Sequence, residues 1–145
     1  LVDYLDTRFF QPLEIIKPEW KSCPMGINIG GWGLRITTED IAKLGQFYLQ
    51  KGRWEGKQLL SENWIEQATS KQVSSGSNPD NDWAQGYGFQ FWRSRYNSFR
   101  ADGSFGQFCL VLPQYKLVIV TTAGVYDMGQ IMNIAWETLF SKTKE

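Results

Sequence analysis

Two apolar segments near the carboxyl end of the chain restrict its fold more than any other feature. "QFCLVLP" (107–113) and "KLVIVTTAG" (116–124) are almost continuously apolar and rich in strand-forming residues. A strand with one solvated face alternates apolar and polar residues, whereas a strand covered on both faces does not. The short turn around Gln114 and Tyr115 predicts an antiparallel hairpin. The sequence therefore predicts a sheet that is covered on both faces.

Helices that can supply this cover are predicted before and after the strands. The last one has apolar residues at helical spacing, namely Met128, Ile131, Met132, Ala135, Trp136 and Leu139. An earlier helix begins after Thr37 or Thr38, either of which can cap it, and ends at Gly52. Ser61 can cap a further helix. Helices, then an antiparallel sheet, then a helix packed on it make an α+β arrangement.

The sequence predicts a single unit, 1–145, that contains two regions of different secondary structure. Residues 1–70 are mostly helical around a glycine-rich turn, and residues 83–141 are antiparallel strands followed by a helix. "YGFQFW" (87–92) is predicted to be a further strand, and the polar stretch 70–82 a surface loop. With 145 residues and 42% hydrophobic residues, the chain is long enough to bury one core.

Composition excludes several classes of function. Fifteen Lys+Arg balance fifteen Asp+Glu, which argues against a nucleic-acid-binding protein that depends on backbone charge. No apolar run approaches the roughly 18 residues that span a membrane. The chain has no histidine, so it contains no Ser-His-Asp or Cys-His catalytic set and little prospect of zinc chemistry. Its two cysteines are too few for a disulfide scaffold, and Cys109 is expected to be a buried free thiol.

The start of the 107–113 strand is unusual. "FRADGSFGQFCLVLP" (99–113) places charged residues, glycines and a glutamine directly before a strand that is otherwise apolar. A strand that only packs does not need such a beginning. We interpret this stretch as the edge of a site.

Several segments together resemble the serine β-lactamase-like family, which includes class C β-lactamases, D-alanyl-D-alanine peptidases and related esterases. The resemblance is carried by "GGWGLRITTEDIAKLGQFYLQKGRWEGKQLLSENWIEQATS", by "GYGFQFW" and by "FRADGSFGQFCLVLPQYKLVIVTTAG". It covers about residues 1–140 and implies the C-terminal half of the β-lactamase/transpeptidase-like fold. It also implies no metal or organic cofactor, and export or a place in the bacterial cell envelope. Because the chain opens on Leu1 within a helix-like segment, it is expected to be a fragment.

Members of this family use three motifs, and only the third has a counterpart here. S-x-x-K supplies a nucleophilic serine and a lysine that activates it, Y-x-N or S-x-N follows, and K-T-G or H-x-G lies on a strand at the edge of the site. Ala101-Asp102-Gly103 occupies the third position. The resemblance implies that the backbone N–H of Ser104 contributes to the oxyanion hole. Gln107 and Trp32 are further candidates for substrate contact, although both can be purely structural.

The third motif departs from the family pattern. Ala101 stands in place of the cation and Asp102 in place of the hydroxyl that hold a substrate carboxylate. An unpaired Asp102 would repel such a carboxylate by a few kcal/mol at about 4 Å, so substrates are expected to lack a carboxylate there or to carry an amine. The alternative for Asp102 is a salt bridge with Arg100 or Arg95.

Two short stretches match the residue pattern of the missing motifs but lie in the wrong structural context. Ser141-Lys142-Thr143-Lys144 reads as S-x-x-K but follows the last helix at the end of the chain. Ser61-Glu62-Asn63 reads as S-x-N, but Ser61 is better explained as a helix cap. The true first and second motifs are expected before Leu1, in the N-terminal remainder of the same protein. Residues 1–145 alone are expected to be inactive.

Three functions remain open. The first is a serine hydrolase that cleaves a small-molecule or peptide ester or amide, with its nucleophile upstream. The second is a binding or regulatory homologue of the same fold without catalysis. The third is an unrelated carbohydrate-binding module, suggested by seven tryptophans. The basic and aromatic residues around Arg93, Arg95 and Arg100 either hold an anionic glycan or nucleotide or form a solvated hairpin tip.

Overall fold

A computed structural model describes residues 1–141 of the protein. Lys142, Thr143 and Lys144 of the S-x-x-K lookalike lie outside the described residues. The helices are α1 (Val2–Leu5), continued by a π-helical turn (Asp6–Phe10), α2 (Thr38–Leu49), α3 (Glu62–Thr69) and α4 (Met128–Phe140). The strands are β1 (Glu19–Trp20), β2 (Leu34–Arg35), β3 (Arg53–Trp54), β4 (Lys57–Gln58), β5 (Trp92–Ser94), β6 (Ser98–Gly103), β7 (Gln107–Leu112) and β8 (Leu117–Thr121).

Strands β5 to β8 form one antiparallel sheet in the order β5-β6-β7-β8. The predicted hairpin is confirmed: Leu112 pairs with Leu117, and a 3₁₀ turn over Pro113–Tyr115 joins the strands. Lys116 completes this turn with a left-handed φ of 50°. The two remaining strand pairs, β1-β2 and β3-β4, are short separate ribbons.

Helices cover both faces of the sheet, as its apolar strands predict. Phe99, Cys109 and Val111 pack against Ile41 and Tyr48 of α2. On the other face, the core is built from β7 and α4 and contains Phe108, Leu110, Leu112, Met132 and Trp136. Because successive strand residues point to opposite faces, β7 supplies both cores by alternation.

The predicted helix caps are also found. The Thr37 hydroxyl accepts a hydrogen bond of 3.1 Å from the Asp40 N–H at the start of α2. The Ser61 hydroxyl accepts from the Trp64 N–H at 3.2 Å and so caps α3, as expected for the S-x-N lookalike. After α2 the chain turns at Gly52, where φ is +80° and a Cβ would come within 2.4 Å of the Leu60 carbonyl oxygen. Only glycine fits at this turn.

Two expectations about residues 87–100 are wrong. "YGFQFW" is not a strand: Tyr87 forms isolated bridges, and β5 begins at Trp92. The chain bends between them because Gly88 lies against the Ala68 carbonyl and Gln90 adopts a positive φ of 63°. Arg100 is not part of a solvated hairpin tip, because its side chain is fully buried. The tip itself consists of the exposed residues Tyr96 and Asn97.

Candidate active site

A cavity of about 570 Å³ lies between α2, the sheet and the glycine-rich segment that precedes α2. Its wall contains every residue that the sequence singled out for the site, namely Trp32, Ala101, Asp102, Gly103, Ser104 and Gln107. Most of the remaining wall is apolar and comes from Phe9, Leu34, Ile36, Ile41, Leu44, Tyr48, Phe91, Cys109 and Val111. The fold therefore brings the predicted site residues together, while their roles stay predictions.

The close approach of α2 to the sheet depends on Gly45. A Cβ at this position would lie 2.5 Å from Val118 Cγ1 and 2.7 Å from Cys109 Sγ. No side chain larger than hydrogen fits without movement of the helix or of these two side chains. Gly45 thus determines how closely α2 and the sheet enclose this part of the cavity.

The end of β6 forms the polar part of the cavity wall. Gly103 pairs with Gln107, and the turn between them contains Phe105 and Gly106 with positive φ values of 65° and 90°. A Cβ at Gly103 would come within 3.0 Å of Gln107 Cβ, so the packing of Gln107 is one reason for glycine here. Ser104 is exposed at the start of the turn.

Gln107 uses its side-chain amide on the backbone. Its Nε2 donates to the Ala123 carbonyl and, at 3.3 Å, to the Ser104 carbonyl, while its Oε1 accepts from the Ala123 N–H at 3.2 Å. These bonds join the 104–106 turn to the segment after β8. The structure therefore favours a structural role for Gln107 over direct hydrogen bonding to a substrate.

Asp102 makes the salt bridge that the sequence left as an alternative. Its side chain lies on the sheet face of Arg100 and Phe108, and Oδ2 accepts from Arg100 Nε at 3.1 Å and Nη2 at 2.9 Å. Trp83 Nε1 donates to the same oxygen at 3.0 Å. Burial raises the pKa of the Asp102 carboxyl, against the opposing effect of Arg100 and Trp83. The negative charge of Asp102 is thus paired with a cation, which weakens the repulsion expected for an unpaired carboxylate.

No Lys or Arg belongs to the described wall of the cavity. Ala101, which faces the cavity side of β6, presents only a methyl group where the resemblance implies a cation. A substrate carboxylate placed beside Ala101 would find no Lys or Arg among the described residues of the cavity wall. The missing cation, which the sequence predicts from Ala101, is therefore also missing from the described cavity wall of the folded chain.

Trp32 lies at the rim of the cavity with 61% of its surface exposed. Lys21 Nζ lies 5.3 Å from the centroid of the Trp32 ring. The carbonyl oxygen of Trp32 accepts a hydrogen bond of 3.0 Å from Trp20 Nε1. The backbone is therefore anchored while the ring remains accessible. An accessible aromatic ring at a cavity entrance suits contact with an apolar part of a ligand.

Sequence reasoning missed Tyr48 as a site residue. Its helical spacing assigned it to the apolar face of α2, and its ring does pack 4.6 Å from that of Phe91. It also lines the cavity, and burial raises the pKa of its phenol to about 12. At neutral pH the hydroxyl stays protonated and is able to donate a hydrogen bond.

Residues 1–141 contain neither a membrane-spanning helix nor a metal-binding cluster. No helix within 1–141 is both long and apolar enough to cross a bilayer. The same residues contain no group of three or more His, Cys, Asp or Glu side chains arranged to hold a metal ion.

The sheet with helices on both faces, and the cavity at the end of β6, fit the β-lactamase/transpeptidase-like fold. The family model named Beta-lactamase matches residues 1–129, so the chain belongs to the beta-lactamase family. A search of curated proteins found no match.

Two solved structures show the same fold. One is named "Putative 6-aminohexanoate-dimer hydrolase from Bacillus anthracis"; it has a TM-score of 0.73 and 24% identity, over 98% of this chain and 39% of that one. The other is named "Crystal structure of putative beta-lactamase from Bacteroides dorei DSM 17855"; it has a TM-score of 0.65 and 13% identity, over 93% of this chain and 50% of that one. The chain thus spans half or less of the length of these structures.

Proposed function

We propose that this chain forms one wall of the active site of a serine hydrolase that cleaves an ester or an amide. The observation that carries the proposal is that Trp32 and the β6 end, Ala101–Ser104, line one cavity in a chain of the beta-lactamase family. The nucleophile and its lysine, in an S-x-x-K motif, belong to a part of the protein before Leu1.

The chemistry assigned to this wall is stabilisation of negative charge. When the serine attacks a carbonyl carbon, the carbonyl oxygen becomes an oxyanion, and the Ser104 N–H donates a hydrogen bond to it. Loss of one such donor costs about 10²–10³ in rate in other hydrolases. Because the donor is a backbone group, its position depends on the conformation of the 103–107 turn.

The cavity favours substrates without a carboxylate beside Ala101. Its described wall has no Lys or Arg and is largely apolar. The name of the Bacillus anthracis neighbour specifies a dimer of 6-aminohexanoate, whose amide bond and free amine fit this class and whose free carboxylate would then lie away from Ala101. We therefore propose neutral or amine-bearing esters and amides as the substrate class, and poor hydrolysis of penicillins.

The second candidate is a homologue that binds a ligand without cleaving it. The observation in its favour is the replacement of the cation and hydroxyl of the third motif by Ala101 and Asp102. Such a protein would keep the cavity but lack the reactive serine.

Labelling with a fluorophosphonate probe distinguishes the two candidates. The full-length protein and residues 1–145 are each treated with the probe and analysed by intact mass. Labelling of the full-length protein at one serine before Leu1, with no labelling of residues 1–145, is the expected result. Absence of labelling, together with no hydrolysis of a panel of neutral esters and amides, would overturn catalysis and favour the binding homologue.

A further inference from the structure

We propose that Arg100 is a positioning residue of the site: through Asp102 it holds the end of β6 that carries Gly103 and Ser104. The catalytic consequence of this inference rests on the proposed function above, while the positioning itself does not. We call Arg100, Asp102 and Trp83 the strand-end cluster.

The Arg100 guanidinium is buried and hydrogen-bonded to several other groups of the fold. Its side chain has no solvent exposure, and its guanidinium lies 4.6 Å from the Trp83 ring centroid. Nη1 donates to the Asp82 carbonyl at 3.1 Å, to the Arg93 carbonyl at 3.3 Å and to the Ser94 hydroxyl at 2.6 Å. Nε and Nη2 donate to Asp102. A rigid planar donor with this many partners is well suited to hold a second group in place.

Asp102 transmits this rigidity to the site. It is adjacent to Gly103 and two residues before Ser104, and its Oδ2 is held by Arg100 and Trp83 together. On the far side of the turn, Gln107 holds the Ser104 carbonyl. The backbone that presents the Ser104 N–H is therefore fixed from both sides, by the strand-end cluster and by Gln107.

Arg100 also neutralises a charge close to the reacting atoms. Without it, Asp102 would be a carboxylate with only 9% side-chain exposure and no cationic partner, next to the residues that stabilise an oxyanion. Two like charges in a poorly solvated site repel each other strongly. Loss of Arg100 should therefore weaken transition-state stabilisation twice, by displacing the N–H and by adding a negative charge.

The chain provides a matched control in a second Asp–Arg–Trp cluster. Asp82 Oδ2 accepts from Arg95 Nε at 3.1 Å and Nη2 at 2.9 Å, and from Trp136 Nε1 at 2.9 Å. The bonding resembles that of the strand-end cluster, and the Asp82 carbonyl also accepts from Arg100, but neither Asp82 nor Arg95 lines the cavity. R95M therefore reports on loss of a comparable ion pair away from the proposed site.

The experiment uses the full-length protein with the variants R100M, R100K, R100M/D102N and R95M. Two readouts are taken: the amide NMR resonances of Gly103 and Ser104, and kcat and KM for a neutral ester. We expect R100M to shift both resonances and to lower kcat by about 10- to 100-fold, the scale of a small misplacement of catalytic groups, with little change in KM. R100M/D102N, which removes both charges, should regain part of kcat, and R95M should change neither readout. R100K and the double variant carry the test if R100M does not fold.

The outcomes separate this inference from the proposed function. If the wild type cleaves esters but R100M, R100K and R100M/D102N all match R95M in both readouts, Arg100 is only structural and the inference is overturned. If the wild type neither reacts with the probe nor cleaves esters, the proposed function fails. The resonances of Gly103 and Ser104 still decide the positioning: shifts confined to the Arg100 variants support it, and unchanged resonances overturn it.

Discussion

The two faces of the four-stranded sheet are buried in different ways. The α4 face contains two ion pairs, Arg100–Asp102 and Arg95–Asp82, beside its apolar core. The α2 face has an apolar core and lines a cavity of about 570 Å³. The residues that line the cavity of about 570 Å³ are mostly apolar, whereas the α4 face combines an apolar core with paired charges.

Removal of the Asp82 side chain should have the largest effect on stability, because it breaks the Arg95–Asp82 ion pair on the α4 face. The Asp82 side chain is 2% exposed and accepts from Arg95 and Trp136, so D82A leaves Arg95 unpaired and the Trp136 N–H without its acceptor. We expect a loss of about 3–5 kcal/mol in the free energy of unfolding, measured by urea denaturation. The control is N133A, which removes only an exposed contact to Arg95. Equal losses for the two variants would contradict the importance of the buried pair.

Enlargement of Gly45 should have the next largest effect and acts on the α2 face. Alanine normally stabilises a helix interior relative to glycine by about 0.5–1 kcal/mol. Here a Cβ would collide with Val118 and Cys109, so G45A should instead destabilise by about 1–3 kcal/mol in the same assay. V118A opens space for the new methyl group, and the double variant G45A/V118A should lose less than the sum of the single losses. Strict additivity would show that the contact is not limiting.

Substitution of Trp32 tests whether the cavity on the α2 face binds a ligand. Its ring is exposed, as is that of Trp64, which lies outside the cavity wall and is 46% exposed. W32A and W64A should both leave the urea midpoint nearly unchanged, because exposed side chains contribute little to the core. Only W32A should raise KM for a neutral ester in the full-length protein, on the order of tenfold for one lost aromatic contact. The same KM for both variants would remove Trp32 from the site.

The smallest expected effect is a difference in reactivity between the two cysteines, which involves no change in stability. Burial raises the pKa of the Cys109 thiol to about 12, whereas Cys23 is half-buried. Because the thiolate is the reactive form, Cys109 stays unreactive at pH 8. A maleimide reagent should modify Cys23 first in the native protein and both cysteines in urea, as read by intact mass. Rapid native labelling of Cys109 would show that the α2 face opens more than its packing indicates.

Local patterns in the sequence predicted much of the fold. The caps at Thr37 and Ser61, the β7-β8 hairpin and the last helix depend on neighbouring residues, and all are found. "YGFQFW" was misassigned because its strand-like composition is overridden by a tertiary contact, the approach of Gly88 to the Ala68 carbonyl. For the candidate site, the sequence named six residues that line one cavity but missed Tyr48, whose helical spacing is equally typical of a core residue.

The sequence by itself determined the class of fold, the β7-β8 hairpin, the caps of α2 and α3 and the lack of a cation at Ala101. These depend on residue type, apolar periodicity and turn chemistry, which act over a few neighbouring positions. Only the tertiary structure decided that Arg100 is buried, that Asp102 pairs with it and that Gln107 binds backbone groups. The physical reason is that a charged side chain can be buried only where distant segments supply its partners. Here those partners are Trp83, the Asp82 carbonyl and the β6 strand end, which only the folded chain brings together.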